Sequence, residues 1–434
     1  MRIARQTTRH APRLAVAAAL ATLVAMPAAA AAPTTGAAPP ADAPTAPSSP
    51  TTLAAATAAD SRIASKLTSR ATTSRFGTAF SGTVMDAGTG RIVWSTRRTT
   101  TLMPASNTKL FTAATALNTF GPDRRFTTYV RRGARANQVV LVGAGDPLLS
   151  SAKIRGLARA TKDWIDAQGY KHPRVYVDDY FFPSPSLAYG WKSSYVPEDV
   201  TPVRAIVRDN RDLMNTSTDA GRYFAASLRA LGVSDAQYAG RQDVANTRRV
   251  LARVNSVTVA GMVRRMLLTS DNDVAEILLR RTSYQLRNGT RWTGAKATQS
   301  EGAAAQGLGL GVLYDGSGLS RADRLSSGQV AALLRTAVTG SNPKVATIRS
   351  TNVLPTAGRT GTLEYRFTSS ASDCAVGKVW AKTGTLADAT ALSGYTVGTD
   401  GRRKIFSFIV NGRATDTTLR NDMDMLAATV NGCY

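Results

Sequence analysis

Met103-Pro104-Ala105-Ser106-Asn107-Thr108-Lys109-Leu110-Phe111-Thr112-Ala113-Ala114-Thr115-Ala116-Leu117, closed by Gly121-Pro122, is the stretch around which this 434-residue chain is read. Pro104 opens a helix, Leu110, Phe111, Ala114 and Leu117 share one face of it, and Gly121-Pro122 ends it. Ser106 and Lys109 stand three residues apart, so hydroxyl and ammonium lie on one face within reach of each other. A lysine desolvated there can lose its proton and activate the hydroxyl. The helix N-terminus also favours negative charge developing nearby. Ser-x-x-Lys alone is a weak pattern, since Ser150/Lys153 and Ser341/Lys344 repeat it. Pro343 disrupts the last of these, and Ser150 follows a Gly145-Asp146-Pro147 turn. Ser106 is the match that combines a preceding hairpin, a proline start and a buried helix.

Two further segments carry chemistry. Ser270-Asp271-Asn272 divides one helical stretch from the next, Val274 to Leu279. Its plain reading is a helix cap, a role that Ser, Asp and Asn all fill well. Ser350-Thr351-Asn352 is a looser copy with no helix behind it. Lys382-Thr383-Gly384 falls on a strand, with Trp380 and Lys382 on the same side. Glycine at that point permits close approach of a ligand backbone, although a charged edge strand would look the same. Arg359-Thr360-Gly361 is a near-match in a loop.

Composition narrows the chemistry. At 43% apolar residues the chain can bury a large core. His10 falls in the leader, which leaves His172 as the sole histidine of the remainder, in a Lys171-His172-Pro173 loop. A zinc hydrolase with two or three histidine ligands is excluded, as is a cysteine-based metal site with only two cysteines. A serine hydrolase built from this chain takes its base from lysine. No metal and no cofactor is expected.

Arg2, Arg5, Arg9 and Arg13, the apolar run Leu14 to Met26 and the alanines to Ala32 have the order of a secretory signal, so residues 1–32 are read as one. The alternative is an uncleaved anchor, but Pro27 stops the run short of the roughly 20 apolar residues that span a bilayer. Residues 33–58 are Ala, Pro, Thr and Ser with a single charge, the composition of a disordered tether. In the oxidising compartment that export implies, Cys374 and Cys433 pair by default as one disulfide, with two free thiols as the other reading. The formal charge of +25 is carried mostly by arginine. Export, and the absence of any basic run of five, argue against nucleic acid. The charge suits weak association with anionic cell wall or membrane surfaces.

The remaining pattern is mixed. A helix covers Asp60 to Ser69, and Ala79 to Met85 with Arg91 to Thr96 make a hairpin around Ala87-Gly88-Thr89-Gly90. Strands at 127–131, 138–142 and 174–178, with helices near 154–165 and 223–231, read as an α/β insert. Three strands, 378–385, 391–397 and 405–410, precede a closing helix at 417–430. Both ends of the chain together predict one antiparallel sheet with helices on its faces.

The ordered set of Ser-x-x-Lys, Ser-x-Asn and Lys-Thr-Gly, each in its context, resembles the penicillin-binding proteins and serine β-lactamases. Within that group the chain is similar to the class C low-molecular-mass D-alanyl-D-alanine carboxypeptidase/endopeptidase family. Leu141 to Pro147, Asp271-Asn272 with Ala275-Glu276, Asp315 to Arg321, Leu354-Pro355 and Gly361-Thr362-Leu363 extend the likeness across about residues 60–434. It implies an α/β (α+β) protein of the serine β-lactamase/penicillin-binding transpeptidase-like fold, an antiparallel sheet flanked by helices. The catalytic domain spans 59–122 and 251–434, with an inserted α/β domain at 123–250. Larger members carry two nested inserts, and the distance from Lys109 to Ser270 leaves room for one, or for a reduced second.

The resemblance implies a secreted, cell-wall-associated enzyme that cleaves peptidoglycan stem peptides ending in D-Ala-D-Ala through an acyl-enzyme on Ser106, with β-lactam antibiotics as covalent inhibitors. Lys109 would be the general base, Ser270 a proton relay to the leaving amine, and Asn272 the holder of the substrate amide or of Lys109. Lys382 would place positive charge beside Ser270 and the substrate carboxylate. Thr383 and Thr385, flanking Gly384, would bind that carboxylate, and the N–H groups of Ser106 and Thr385 would form the oxyanion hole. Asp273 and Glu276 read as acids that favour a helix start. A β-lactamase and a non-catalytic wall-binding protein are the alternatives.

Overall fold

A computed structural model describes residues 56–434. The signal read at 1–32, and all but the last three residues of the tether read at 33–58, lie outside the described residues. Helix α1 (Ala58–Arg70) starts at a capping box, in which Thr57 and the Asp60 side chain each take the other's backbone N–H. The short α2 (Thr73–Phe76) leads to the hairpin β1 (Ala79–Asp86) and β2 (Ile92–Thr96), whose turn is tied by Asp86 accepting from the N–H and hydroxyl of Thr89. After β3 (Thr101–Leu102), a 3-10 turn at Ala105–Asn107 runs into α3 (Thr108–Phe120). Every residue of α3 from Thr108 to Leu117 is buried, polar ones included, so this is a central helix rather than an amphipathic one.

A second five-stranded sheet follows. Its strands are β4 (Thr127–Arg132), β5 (Gln138–Val142), β7 (Arg174–Asp178), β9 (Gln237–Arg241) and β10 (Val250–Asn255), in the order β10-β4-β5-β7-β9. Helix α4 (Ser151–Ala167) connects β5 to its parallel neighbour β7, and α5 (Thr216–Ala230) connects β7 to β9. Leu157, Trp164, Phe224 and Leu228 from these helices pack on Val139, Leu141, Val175 and Val177 in a core of their own. The segment read as a Gly145-Asp146-Pro147 turn is instead a short strand, β6 (Asp146–Leu149), paired in parallel with β8 (Ile206–Arg208).

The chain then forms α6 (Val259–Thr269), α7 (Asn272–Gln285), α8 (Trp292–Ala304), β11 (Leu325–Ser326) and α9 (Ser327–Thr339). It closes with β12 (Val379–Leu386), β13 (Ala389–Val397), β14 (Arg403–Asn411) and α10 (Thr417–Asn431). Strands from both ends build one antiparallel sheet, β12-β13-β14-β1-β2, in register from Ala79 opposite Asn411 to Asp86 opposite Lys404. Strand β14 shows why the sheet is central. Ile405 and Ile409 face α3, α6, α7 and α9, while Phe406, Phe408 and Val410 face α1 and α10. Both faces are therefore covered, and the strand reads as a near-continuous apolar run. Cys374 and Cys433 are joined as a disulfide, which fastens the chain end beyond α10 to the 3-10 turn ahead of β12.

At the start of the central strand β14, Lys404 is fully buried and bonds Asp60 at 2.6 Å, Asp86 at 3.1 Å and Asp400 at 3.0 Å. Arg91 and Arg402 complete this ion network where α1 crosses the strands. None of the described helices is long and apolar enough to cross a membrane.

Candidate active site

Ser106 lies in the 3-10 turn that feeds α3, behind Ala105, a non-glycine residue at φ 47°. Such a conformation persists only where its surroundings over-determine it. Two glycines supply that constraint. A Cβ at Gly318 would fall 1.9 Å from the Ala105 carbonyl oxygen, and one at Gly384 would fall 2.7 Å from that of Pro104. Gly384 is therefore required by the chain's own backbone, not only by a ligand's as its strand position suggests. β12 and the 315–320 loop both close directly on the turn that carries Ser106.

Lys109 is fully buried, and its Nζ lies 2.9 Å from Ser106 Oγ, 2.6 Å from Asn272 Oδ1 and 2.7 Å from the Ser317 carbonyl. This geometry accommodates both protonation states, since an ammonium can donate to all three oxygens. A neutral amine has two N–H groups and one lone pair. Asn272 and Ser317 offer only acceptors at these positions and take the two N–H groups, which leaves the lone pair for the Ser106 hydroxyl. Burial pushes Lys109 down to about 8, against the pull of Asp315, Glu276 and Asp271, which favour its charge.

The second cluster is opposite. Ser270 caps the end of α6 in the left-handed region, at φ 61°. Its hydroxyl accepts from Lys382 Nζ at 2.9 Å, and Lys382 also donates to the Thr383 carbonyl at 2.7 Å. The geometry shows the cap at Asp271 and places Ser270 against Lys382 and Asn272 against Lys109. Asp271 caps α7 through the Val274 N–H and is held by Arg265, while Ser270 and Asn272 on either side turn toward the cleft. Burial and the Lys109 cation hold Lys382 well below the ordinary lysine range. Asn272 also reaches across the cleft, its Nδ2 donating to the Asp199 carbonyl at 2.7 Å. Thr383 donates to Thr362 Oγ1 at 2.8 Å, and Thr385 is exposed at the mouth.

The other sequence matches stay apart from this cluster. Ser150 caps α4 by accepting from the Lys153 N–H. Lys344 donates to the Asn118 carbonyl, and Ser350 bonds Asn352 within a surface turn. His172 is exposed beside Asp235.

Several residues around the site lie outside the Ser-x-x-Lys, Ser-x-Asn and Lys-Thr-Gly motifs. Glu276 is not at the helix start but in the second turn of α7, fully buried, where it accepts the N–H groups of Gly316 and Ser317. Asp273 instead holds the Thr201 N–H and hydroxyl, pinning the insert loop, and burial raises it to about 6. Asp315 accepts from Gly318 N, Ser320 N and Trp191 Nε1, which knots the loop beneath Ser106. Asp323, bonded to Thr108 and the Tyr314 N–H, is raised well above the carboxylate range by burial and by Asp315. The Asp315-Gly316-Ser317-Gly318 glycines, spaced to accept such close contacts, were the available signal.

Comparison with known proteins gives a consistent picture. The model of the D-Ala-D-Ala carboxypeptidase 3 (S13) family matches residues 63–211 and 195–430. A carboxypeptidase of Mycobacterium tuberculosis is 32% identical over 370 residues, which covers 80% of this chain and 78% of that protein. The D-alanyl-D-alanine carboxypeptidase of Actinomadura sp. strain R39 is 27% identical, over 76% of this chain and 77% of that one. The crystal structure of penicillin-binding protein 4 from Haemophilus influenzae superposes with a TM-score of 0.71 at 19% identity, over 83% of this chain and 97% of the other, which shows the fold.

Proposed function

The chain belongs to the D-Ala-D-Ala carboxypeptidase 3 (S13) family, and from that premise we infer how its residues carry out the reaction. It is a serine-type D-Ala-D-Ala carboxypeptidase, a hydrolase of peptidoglycan peptides. The observation that supports Ser106 as nucleophile is the single contact of its hydroxyl with the buried Lys109 amine.

In the proposed sequence, Ser106 Oγ attacks the carbonyl carbon of the penultimate D-alanine as its proton passes to Lys109 Nζ. The oxyanion develops between the N–H groups of Ser106 and Thr385, where each donor contributes about 3 to 4 kcal/mol. The C–N bond then breaks as Ser270, backed by Lys382, gives its proton to the departing D-alanine amine and is reprotonated by Lys109, which returns to the neutral amine. Water attacks the ester as its proton passes to Lys109, and collapse of the tetrahedral intermediate expels Ser106 Oγ, which takes that proton back from Lys109. Thr383 and Thr385 receive the terminal carboxylate. Lys382 is not paired with a carboxylate in the free site and its charge is disfavoured there, so it becomes a cation most readily once that carboxylate arrives.

A β-lactam offers the same attack a cyclic amide whose leaving nitrogen stays tethered, which keeps water from the ester and accounts for inhibition as a stable adduct. The substrate lies outside the cytoplasmic membrane, in keeping with the export signal, and the arginine-rich surface suits contact with an anionic wall.

The test is release of D-alanine from a diacylated lysyl-D-Ala-D-Ala peptide as a function of pH. A base with a pKa of about 8 must be neutral to act. The rate is therefore expected to climb about tenfold per pH unit on the acid side and to level off above the pKa. A profile that is flat from about pH 6 to about pH 9 contradicts the role given to Lys109.

A further inference from the structure

We propose that Glu276 is a positioning residue for Lys109: it aims the Ser317 carbonyl at the lysine Nζ and supplies the buried negative charge against which Lys109 releases its proton. The proposal rests on the reading of Ser106 and Lys109 given above.

Helix α7 reaches Lys109 by two arms four residues apart on one face. Asn272 touches Nζ directly at 2.6 Å. Glu276 acts one step removed, its carboxylate accepting from Ser317 N at 2.7 Å and from Gly316 N at 3.0 and 3.2 Å. Those bonds fix the peptide whose next carbonyl, that of Ser317, takes the Lys109 N–H at 2.7 Å. If Ser317 turned away, the second N–H of a neutral Lys109 would lose its acceptor, and the lone pair would no longer be confined to Ser106.

A glutamine could accept both of those N–H groups through one amide oxygen, as Glu276 Oε1 does at 3.0 and 2.7 Å, so what sets the carboxylate apart is its charge. Glu276 is fully buried and, among the described residues, takes part in no ion pair. Arg280, one turn further along α7, directs its guanidinium to the Thr290 carbonyl and lies 3.9 Å over the Trp292 ring. The charged groups facing Lys109 are few. Asp271 and Glu276 come from the α7 end, Asp315 and Asp323 from the loop before β11, and Lys382 from β12. From α8 the neutral Gln299 bonds the Asp315 carbonyl and Thr112. Burial and Asp315 raise Glu276 to about 8, so it and Lys109 hold their protons with similar strength inside one hydrogen-bonded unit.

The sign follows from Coulomb's law. Removing a negative charge beside Lys109 weakens its hold on a proton, so the amine becomes neutral at lower pH. The probe is a fluorescent penicillin, and the readout is the acylation rate of full-length protein across pH. In Glu276→Gln the midpoint is expected to move acidward by about half a unit, while the rate at about pH 6, where Glu276 already carries its proton, keeps its wild-type fraction of the plateau. Glu276→Asp keeps the charge and shortens the arm, so its midpoint is expected to stay and its plateau to fall by about tenfold. A folded Glu276→Gln with an unmoved midpoint overturns the proposal. If that variant does not fold, Glu276→Asp decides it: a full plateau or a displaced midpoint overturns the proposal. Failure of the wild type to acylate at Ser106 would instead strike the underlying reading of the site.

Discussion

Replacing Lys109 with alanine is expected to slow acylation by a penicillin by about 10³-fold or more, near the upper range for loss of a positioned general base. Lys382 does not substitute, because its Nζ is committed to Ser270 Oγ and the Thr383 carbonyl and makes no contact with Ser106. The variant is expected to stay folded. The vacated space opens toward Ser106 and Asn272, which are partly exposed, so water can enter and satisfy Asn272 Oδ1 and the Ser317 carbonyl. Stopped-flow labelling gives the rate and circular dichroism checks the fold. A folded variant that acylates at the wild-type rate would remove Lys109 from the mechanism.

The second large effect concerns stability. Lys404→Met is expected to destabilise the protein by about 3 to 5 kcal/mol, since breaking a buried ion cluster by removing one partner leaves charge uncompensated. Asp60 and Asp86 are almost fully buried, and although Arg91 pairs with Asp60 and Arg402 reaches both at 3.7 and 2.9 Å, the Lys404 ammonium is the fully buried cation that hydrogen-bonds both and Asp400. Burial opposes the charge of all three carboxylates, yet their hydrogen bonds, from Lys404 and from the backbone, hold each below its ordinary range. For groups depressed in the folded state, the stabilisation is fully present above the unfolded carboxylate pKa of about 4 and is lost as pH falls through the lower folded values. The wild type should therefore keep this contribution at neutral pH, and urea unfolding there measures it. The cluster lies where α1 meets the start of β14 and takes in none of the residues around Ser106, so the folded fraction of the variant should acylate normally. A loss below about 1 kcal/mol would show that the two arginines suffice to neutralise the site.

These two lysines illustrate what a sequence discloses. Ser106 and Lys109 are legible because three residues on a helix bring their side chains together whatever the rest of the chain does. Ser-x-Asn and Lys-Thr-Gly are legible as motifs, but the bond between Lys382 and Ser270 joins positions 112 apart and belongs to tertiary structure. Lys404 carried no signal at all, since its partners lie on α1, on β1 and in the adjoining turn. The antiparallel sheet made from both chain ends followed from the strand patterns, and the observed pairing of β1 and β13 with β14 is antiparallel; its register was not legible beforehand. Helix α8 did not announce itself, because its buried face is made of Gly294, Ala295, Thr298, Gln299 and Gly302, with no apolar stripe. Helix α9 was available in principle: Ser326 and Gln329 form a capping box, and Val330, Leu333, Leu334 and Val338 share a face.

Glu276 shows the converse case. Its place after Asn272 suggests an acid favoured by a helix start, yet it is the fifth residue of α7 and points at a loop some 40 residues further on. Only the fold reveals that this loop carries the carbonyl on which Lys109 rests. The 315–320 segment offered a hint in its alternating glycines, one of which is pressed against the Ala105 carbonyl beside Ser106.

The most direct test of the account is the mass of the intact protein after brief exposure to benzylpenicillin, followed by peptide mapping, with Ser106→Ala as the control. The account predicts a single adduct of the antibiotic's mass on the peptide containing Ser106, absent from the control. An adduct on another serine, or one that persists in Ser106→Ala, would contradict it.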